Sequence, residues 1–204
     1  MTGRQTHWQG VYQTKAETEV SWFQGRPETS VRLIEAAGLG RGARIIDVGG
    51  GASRLVDTLL DLGFTSLAVL DIAEAALAKT RDRLGARAAA VQWLVADITG
   101  WKPPSRYDTW HDRAVFHFLT DAADRAVYAA TMASAVPVGG QAIVGTFAVD
   151  GPERCSGLPV CRYDADSLAA QFLPNFRLLD ALTEDHLTPS EKVQRFQFCR
   201  MERI

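Results

Sequence analysis

The sequence predicts an α/β fold: one doubly wound, mostly parallel sheet of seven strands, closed by an antiparallel last strand. That expectation has three sources. Short apolar runs alternate with stretches of helical periodicity from Val31 to Phe147, joined by short links, the pattern of βαβ units. The run Arg44-Ile-Ile-Asp-Val-Gly-Gly-Gly-Ala-Ser-Arg54 reads as strand, glycine turn and helix start, the order that builds a nucleotide-type site. Beyond Phe147 two strand-like runs flank Thr188-Pro189-Ser190, which reads as an antiparallel hairpin.

Taken in order, residues 1–30 are polar with spaced aromatics, His7, Trp8, Tyr12, Trp22 and Phe23. They read as an arm lying across a domain that spans 31–204, its aromatics either packed or covering a ligand. Thr29 or Ser30 is placed to cap a helix carrying Val31, Leu33, Ile34 and Ala37, ended by Gly38. Arg44–Val48 is the first strand, and Ser53 is placed to cap the next helix. That helix buries Leu55, Val56, Leu59 and Leu60, and Gly63 stops it. Ser66–Asp71 is the second strand. A helix over 73–84 puts Ala73, Leu77, Thr80 and Leu84 on one face, and Val91–Ala96 is the third strand. Tyr107–Asp112 is the fourth. A helix opened by Asp121 presents Val127, Tyr128, Thr131, Met132 and Ala135, and Gln141–Phe147 is the fifth strand. A helix around 166–172 and strands over 176–183 and 193–201 complete the chain.

The 204 residues suffice for one sizeable core. A formal net charge of −2 advertises neither a nucleic acid nor an anionic membrane as partner. No apolar run approaches the roughly 20 residues of a membrane helix, and Met-Thr-Gly-Arg-Gln-Thr-His-Trp has no signal-peptide core, so the cytoplasm is expected. Three cysteines, Cys155, Cys161 and Cys199, do not make a disulfide framework. No zinc spacing is present. The sequence leaves the oligomeric state open.

In open α/β sheets, ligands sit beyond the carboxyl ends of the parallel strands. Those ends carry Asp47, Asp71, Asp97 and Asp112. A single acid there can simply cap the next helix; a row of four suits a ligand rich in hydroxyls and amines, or a cation, and repels a diphosphate. A dinucleotide oxidoreductase is the rival reading, because Asp71 lies 20 residues after Gly51, about the spacing at which an acid reaches a ribose. Ala52-Ser53-Arg54 follows Gly51, so the third glycine of G-x-G-x-x-G is missing.

Asp47-Val48-Gly49-Gly50-Gly51 resembles the D-x-G-x-G signature of class I S-adenosylmethionine-dependent methyltransferases, whose sheet is Rossmann-like. Asp71 closes the second strand as that family's ribose acid does. Asp97-Ile98 looks like its adenine pair, and Gly139-Gly140 is similar to the turn before its fifth strand. The resemblance covers about 30–204. It implies S-adenosyl-L-methionine as cofactor, with its methionine end against Gly49 and Gly51 and its amino group on Asp47. Asp71 would accept both ribose hydroxyls with Ile72 beside it, and Asp97 and Ile98 would hold the adenine. Asp112 would stand where cofactor and substrate meet. The arm adds a narrower likeness to small methyltransferases that include protein-lysine enzymes, which implies that Tyr12 and Trp22 touch the cofactor. Trp22 also offers a face to the sulfonium, a cation–π contact of about 0.5–2 kcal/mol.

Methyl transfer from a sulfonium is an in-line displacement that needs alignment and exclusion of water; a base is optional. Candidate bases are Asp112, His117 and His186. Each histidine also has a purely structural reading, and His117 is the preferred one. Arg113 is placed to pair with a substrate acid or with Asp112. The chain has Asp112-Arg113-Ala114-Val115 where the family's DNA and glutamine enzymes have Asn/Asp-Pro-Pro-aromatic, so that mechanism is not supported. Cys155 and Cys161 are either reduced loop thiols or a pair for a soft metalloid. The expected acceptor is a small molecule or a protein amine. A non-catalytic module that binds the cofactor only as a ligand is the remaining alternative.

Overall fold

The computed structural model describes residues 2–204. Seven strands form one sheet: β1 (Arg44–Val48), β2 (Ser66–Asp71), β3 (Val91–Val95), β4 (Thr109–Arg113), β5 (Gln141–Phe147), β6 (Phe176–Leu187) and β7 (Val193–Arg203). Their order across the sheet is β3-β2-β1-β4-β5-β7-β6. The first five are parallel, and β7 runs antiparallel to both β5 and β6. Six helices flank the sheet: α1 (Gly3–Thr14), α2 (Glu28–Ala36), α3 (Leu55–Asp61), α4 (Glu74–Leu84), α5 (Ala122–Ala135) and α6 (Ala165–Ala170). Among the described residues no helix is long and apolar enough to cross a membrane.

Alternation along the strands divides the core in two, because successive side chains leave opposite faces of a sheet. Ile46, Val48, Trp110, Ala142 and Val144 face one way and pack with Tyr128, Met132 and Leu168 of α5 and α6. Ile45, Leu67, Val69 and Ile143 face the other way and pack with Val31, Leu33, Leu55, Leu59 and Leu77 of α2, α3 and α4. Both faces are covered, which is why the inner strands read as near-continuous apolar runs.

From β1 the chain winds outward through β2 and β3, then returns to the other side of β1 as β4. The loops after β1 and β4 therefore diverge and open a crevice at the carboxyl ends of these two strands. This is the switch point at which open α/β sheets bind ligands.

Several local expectations are corrected. α2 is entered through Pro27 with no side-chain cap; neither Thr29 nor Ser30 caps it, and the Ser30 hydroxyl meets His111 instead. The N-cap of α3 is Arg54, which makes no side-chain cap; Ser53, one residue earlier, accepts only the Leu55 N–H at 3.1 Å. Val127 is solvent-facing at 43% exposure, because α5 buries the face of Tyr128 and Met132. The hairpin strands run on to Leu187 and Arg203, since edge pairing continues past the apolar residues.

Candidate active site

The glycine turn after β1 is dictated by close approach. Gly49 has φ +70° and Gly51 φ +33°, in the left-handed region that favours glycine. A Cβ on Gly49 would overlap the Val115 side chain, and one on Gly51 would lie 2.6 Å from Asp71 Oδ2. The turn is thus pressed between the loop after β4 and the acid ending β2. Gly49→Ala is expected to destabilise the protein by about 1–3 kcal/mol, read as a lower urea midpoint, since the strained backbone and Val115 must both move.

Around this turn lies a cavity with about 140 Å³ of space for the centres of water-sized molecules. Its floor is made by strand ends: Val48 and Gly49, then Leu70, Asp71 and Ile72, then Ala96, Asp97 and Ile98, with Arg113, Ala114 and Val115 opposite. Its cover is Arg4, Trp8 and Tyr12 of α1 with Trp22, and Phe118, Leu119, Cys155 and Leu158 close the side. The aromatic rings meet edge to face, Trp8 5.7 Å from Trp22 and 5.0 Å from Phe118 between centroids. The Trp22 indole N–H donates to the Tyr12 hydroxyl at 3.2 Å. A second chamber shares Tyr12, Trp22, Gly49 and Arg113 with the first and is lined further by Glu17, Ser30, Asp47, Gly50, Ser53 and His111.

Asp71 is 6% exposed, and its Oδ1 accepts the Ala73 N–H at 2.8 Å. Burial pushes its carboxyl up to about 7, and the charge of Asp47 adds to the rise. Asp97 Oδ1 accepts from the Thr99 N–H at 3.0 Å and its hydroxyl at 2.7 Å. Arg113 donates to the Trp22 carbonyl at 3.0 Å, lies 3.6 Å from Glu184 and sits over the Phe196 ring at 4.3 Å. Burial lowers it to about 10, opposed by Glu184. It therefore pairs with Glu184, not with Asp112, and anchors Trp22. His186 makes a second anchor by donating to the Ser21 carbonyl at 2.7 Å.

Of the residues singled out from sequence, Tyr12, Trp22, Gly49, Asp71, Ile72, Asp97 and Ile98 line the main cavity. Asp47 lines the second chamber, and Gly51 lies beneath Asp71. Two are corrected. Asp112 is wholly buried: Oδ1 accepts the Val115 N–H at 2.9 Å, and Oδ2 accepts the Phe116 N–H at 3.1 Å and the Tyr128 hydroxyl at 2.5 Å. It ties the turn after β4 and faces α5. Register is the reason. Asp112 pairs with Val48 while His111 pairs with Asp47, so Asp112 leaves the face opposite Asp47. His117 is also wholly buried; its Nδ1 accepts the Phe147 N–H at 3.2 Å, and burial with the nearby Arg113 charge pushes it down to about 3. His117 does not line the cavity.

The structure puts the two sulfurs in different cores: Cys155 belongs to the core that faces α2, α3 and α4 and lines the cavity, while Cys161 packs against the opposite core. Sequence reasoning undervalued Trp8, set His111 aside as a residue inside the fourth strand and missed Phe118. Trp8 and Tyr12 are four apart on one helix and so share a face, a signal that the spacing carries.

The residues present fit a phosphate-free nucleoside bearing a cation. A buried acid stands at the end of β2, aromatic side chains line the same cavity, and two acids, Asp47 and Asp71, lie at the glycine turn where a dinucleotide would bring its diphosphate.

A family model described as a methyltransferase domain matches residues 45–140. No curated protein matches the chain by sequence. Among solved structures, one titled for the conversion of a disulfide bond into a thioacetal group during echinomycin biosynthesis is similar at 20% identity and TM-score 0.78, covering 98% of this chain and 92% of that one. A SAM-dependent methyltransferase from Anabaena variabilis aligns at 13% identity and TM-score 0.78, over 100% and 96%. The 1,6-didemethyltoxoflavin-N1-methyltransferase of Burkholderia thailandensis aligns at 17% identity and TM-score 0.73, over 98% and 87%. The matched segment holds the glycine turn and all four strand-end acids, and these three likenesses extend over nearly the whole chain. The chain thus carries a segment that matches a methyltransferase-domain model, and its fold is that of solved S-adenosylmethionine-dependent methyltransferases.

Proposed function

We propose that the protein transfers a methyl group from S-adenosylmethionine to a small-molecule nucleophile by in-line displacement. The observation that carries this reading is Asp71, a buried carboxylate between the glycine turn and Asp97, roofed by aromatic rings. Asp71 would accept the ribose hydroxyls. Asp97 and the Ile98 backbone would hold the adenine, with Ile72 beside the ribose. Gly49 would carry the methionine end, which Asp47 reaches from the second chamber, and Tyr12 and Trp22 would close over it. S-adenosylmethionine supplies an electrophilic methyl on a sulfonium with a neutral thioether as leaving group.

The chain's own contribution is alignment and dryness. Trp8, Phe118, Leu119 and Leu158 give the open part of the cavity an apolar lining, which excludes water and disfavours a charged acceptor amine. With Asp112 and His117 turned into the core, the acceptor meets no dedicated base among them. Solved structures similar to this one include the toxoflavin enzyme with 1,6-didemethyltoxoflavin bound, and this supports a small molecule over a protein amine. Residues 2–30 would act as the cover through which donor and acceptor enter. Cytoplasmic residence is part of the same reading.

Calorimetric titration of S-adenosylhomocysteine tests the donor site; saturable binding is expected, and a flat titration would overturn the reading. Mass spectrometry of cell extract incubated with the protein and a deuterated methyl donor tests the acceptor. Label in low-mass metabolites is expected, and label only in proteins would overturn the acceptor class.

A further inference from the structure

Three buried groups beneath the glycine turn form a chain that no residue of the cavity floor requires. Ser30 Oγ lies 2.9 Å from His111 Nε2, and His111 Nδ1 lies 2.7 Å from Asp47 Oδ1. They are 1%, 3% and 5% exposed and all line the second chamber. A neutral imidazole has one donor and one acceptor nitrogen. A carboxylate only accepts, so Nδ1 carries the proton and donates to Asp47. Nε2 then accepts, and the Ser30 hydroxyl donates into it. The hydroxyl is thereby taken away from the backbone of its own helix, where serine otherwise bonds.

The chain ends on a carboxylate held by one oxygen only. Asp47 Oδ2 has no hydrogen-bond partner among the described residues and stands against Gly50, where a Cβ would collide with it. That oxygen is not sealed in the core, and Asp47 lines the second chamber, so a donor group can reach it. The apolar residues Val31, Leu33 and Ile34 already dock α2 on the sheet.

We propose that Ser30 and His111 are positioning residues for the donor's amino group: they fix the rotation of the Asp47 carboxylate so that Oδ2 faces the ammonium at the glycine turn. This rests on the reading of the cavity as the S-adenosylmethionine site, and it adds two residues that touch no ligand. Without the Ser30 hydroxyl the far nitrogen of the imidazole loses its partner, so the ring is no longer held at both ends and the carboxylate it carries is free to rotate.

The test compares two ligands by calorimetry on the full chain. S-adenosylhomocysteine carries the amino-acid end; 5′-methylthioadenosine shares the adenine, ribose and sulfur and lacks it. Ser30→Ala is expected to weaken S-adenosylhomocysteine by about tenfold, the scale of a hydrogen bond to a charged group, and 5′-methylthioadenosine by less than about twofold. His111→Phe is expected to show the same selective loss. Equal losses for both ligands, or none for either, would overturn the assignment. Ser30→Ala removes a single oxygen, so its two affinities remain decisive even where His111→Phe fails to fold. Wild-type protein that binds neither ligand would instead sink the donor-site reading itself.

Discussion

Asp71→Asn is expected to weaken S-adenosylhomocysteine by at least a hundredfold and, above pH 7, to raise the melting temperature of the ligand-free protein. The two effects share one cause. Asp71 is 6% exposed, and burial raises its carboxyl to about 7 with Asp47 adding to the rise. In the unfolded chain the same group titrates near 4. Between roughly pH 4 and pH 7 the folded protein therefore holds a proton that the unfolded chain has lost. This group's contribution to stability falls as pH rises through that window, and the penalty is complete above pH 7. A shift of about three units corresponds to at most about 4 kcal/mol. Asparagine removes the charge and keeps an oxygen for the Ala73 N–H, so the penalty disappears.

The ligand needs the charge. Accepting two ribose hydroxyls is a task for the ionised carboxylate. Wild-type affinity is thus expected to fall as pH drops below 7, approaching tenfold per unit, with a proton released on binding at pH 6. Calorimetry in two buffers of different ionisation enthalpy reads that proton. Equal affinities at pH 6 and pH 8 would contradict the role given to Asp71.

Asp112→Ala is expected to destabilise the protein by about 3–5 kcal/mol, read as a drop in the urea midpoint. The substitution leaves the N–H groups of Val115 and Phe116 and the Tyr128 hydroxyl without their acceptor. Each buried donor left unpaired costs about 1–3 kcal/mol. Trp110 donates to the Tyr128 hydroxyl at 2.9 Å, so the loss spreads through that pair. The cavity suffers indirectly, because Val115 leans on Gly49. Tyr128→Phe, which removes only one donor, is expected to cost about 1 kcal/mol. An Asp112→Ala protein with unchanged urea midpoint and no turnover would restore Asp112 as a base acting on the acceptor.

Much of the fold is legible along the chain. Ser66–Asp71 and Gln141–Phe147 are strands over the residues that their apolar runs mark. Ala73, Leu77, Thr80 and Leu84 are all buried, as their helical spacing requires. These are local statements, and local periodicity carries them. Helix α1 reads in the sequence only as a polar arm, because its burial is confined to Tyr12 and its helical face is weakly marked.

The sequence by itself determined the strand–glycine–helix order, the acids at the strand ends and hence the kind of ligand that the crevice accepts. Only the tertiary structure decided which acids share that crevice. Asp71 and Asp97 line the main cavity and Asp47 the chamber beside it, whereas Asp112, one register step along the neighbouring strand, leaves the opposite face. It likewise decided that His111 bonds Asp47 and that His117 is sealed inside. The physical reason is that side chains alternate across a sheet with a period of two, so a shift of one residue between paired strands reverses a side chain's surroundings. That shift is a relation between strands, fixed by packing, and no single stretch of sequence contains it.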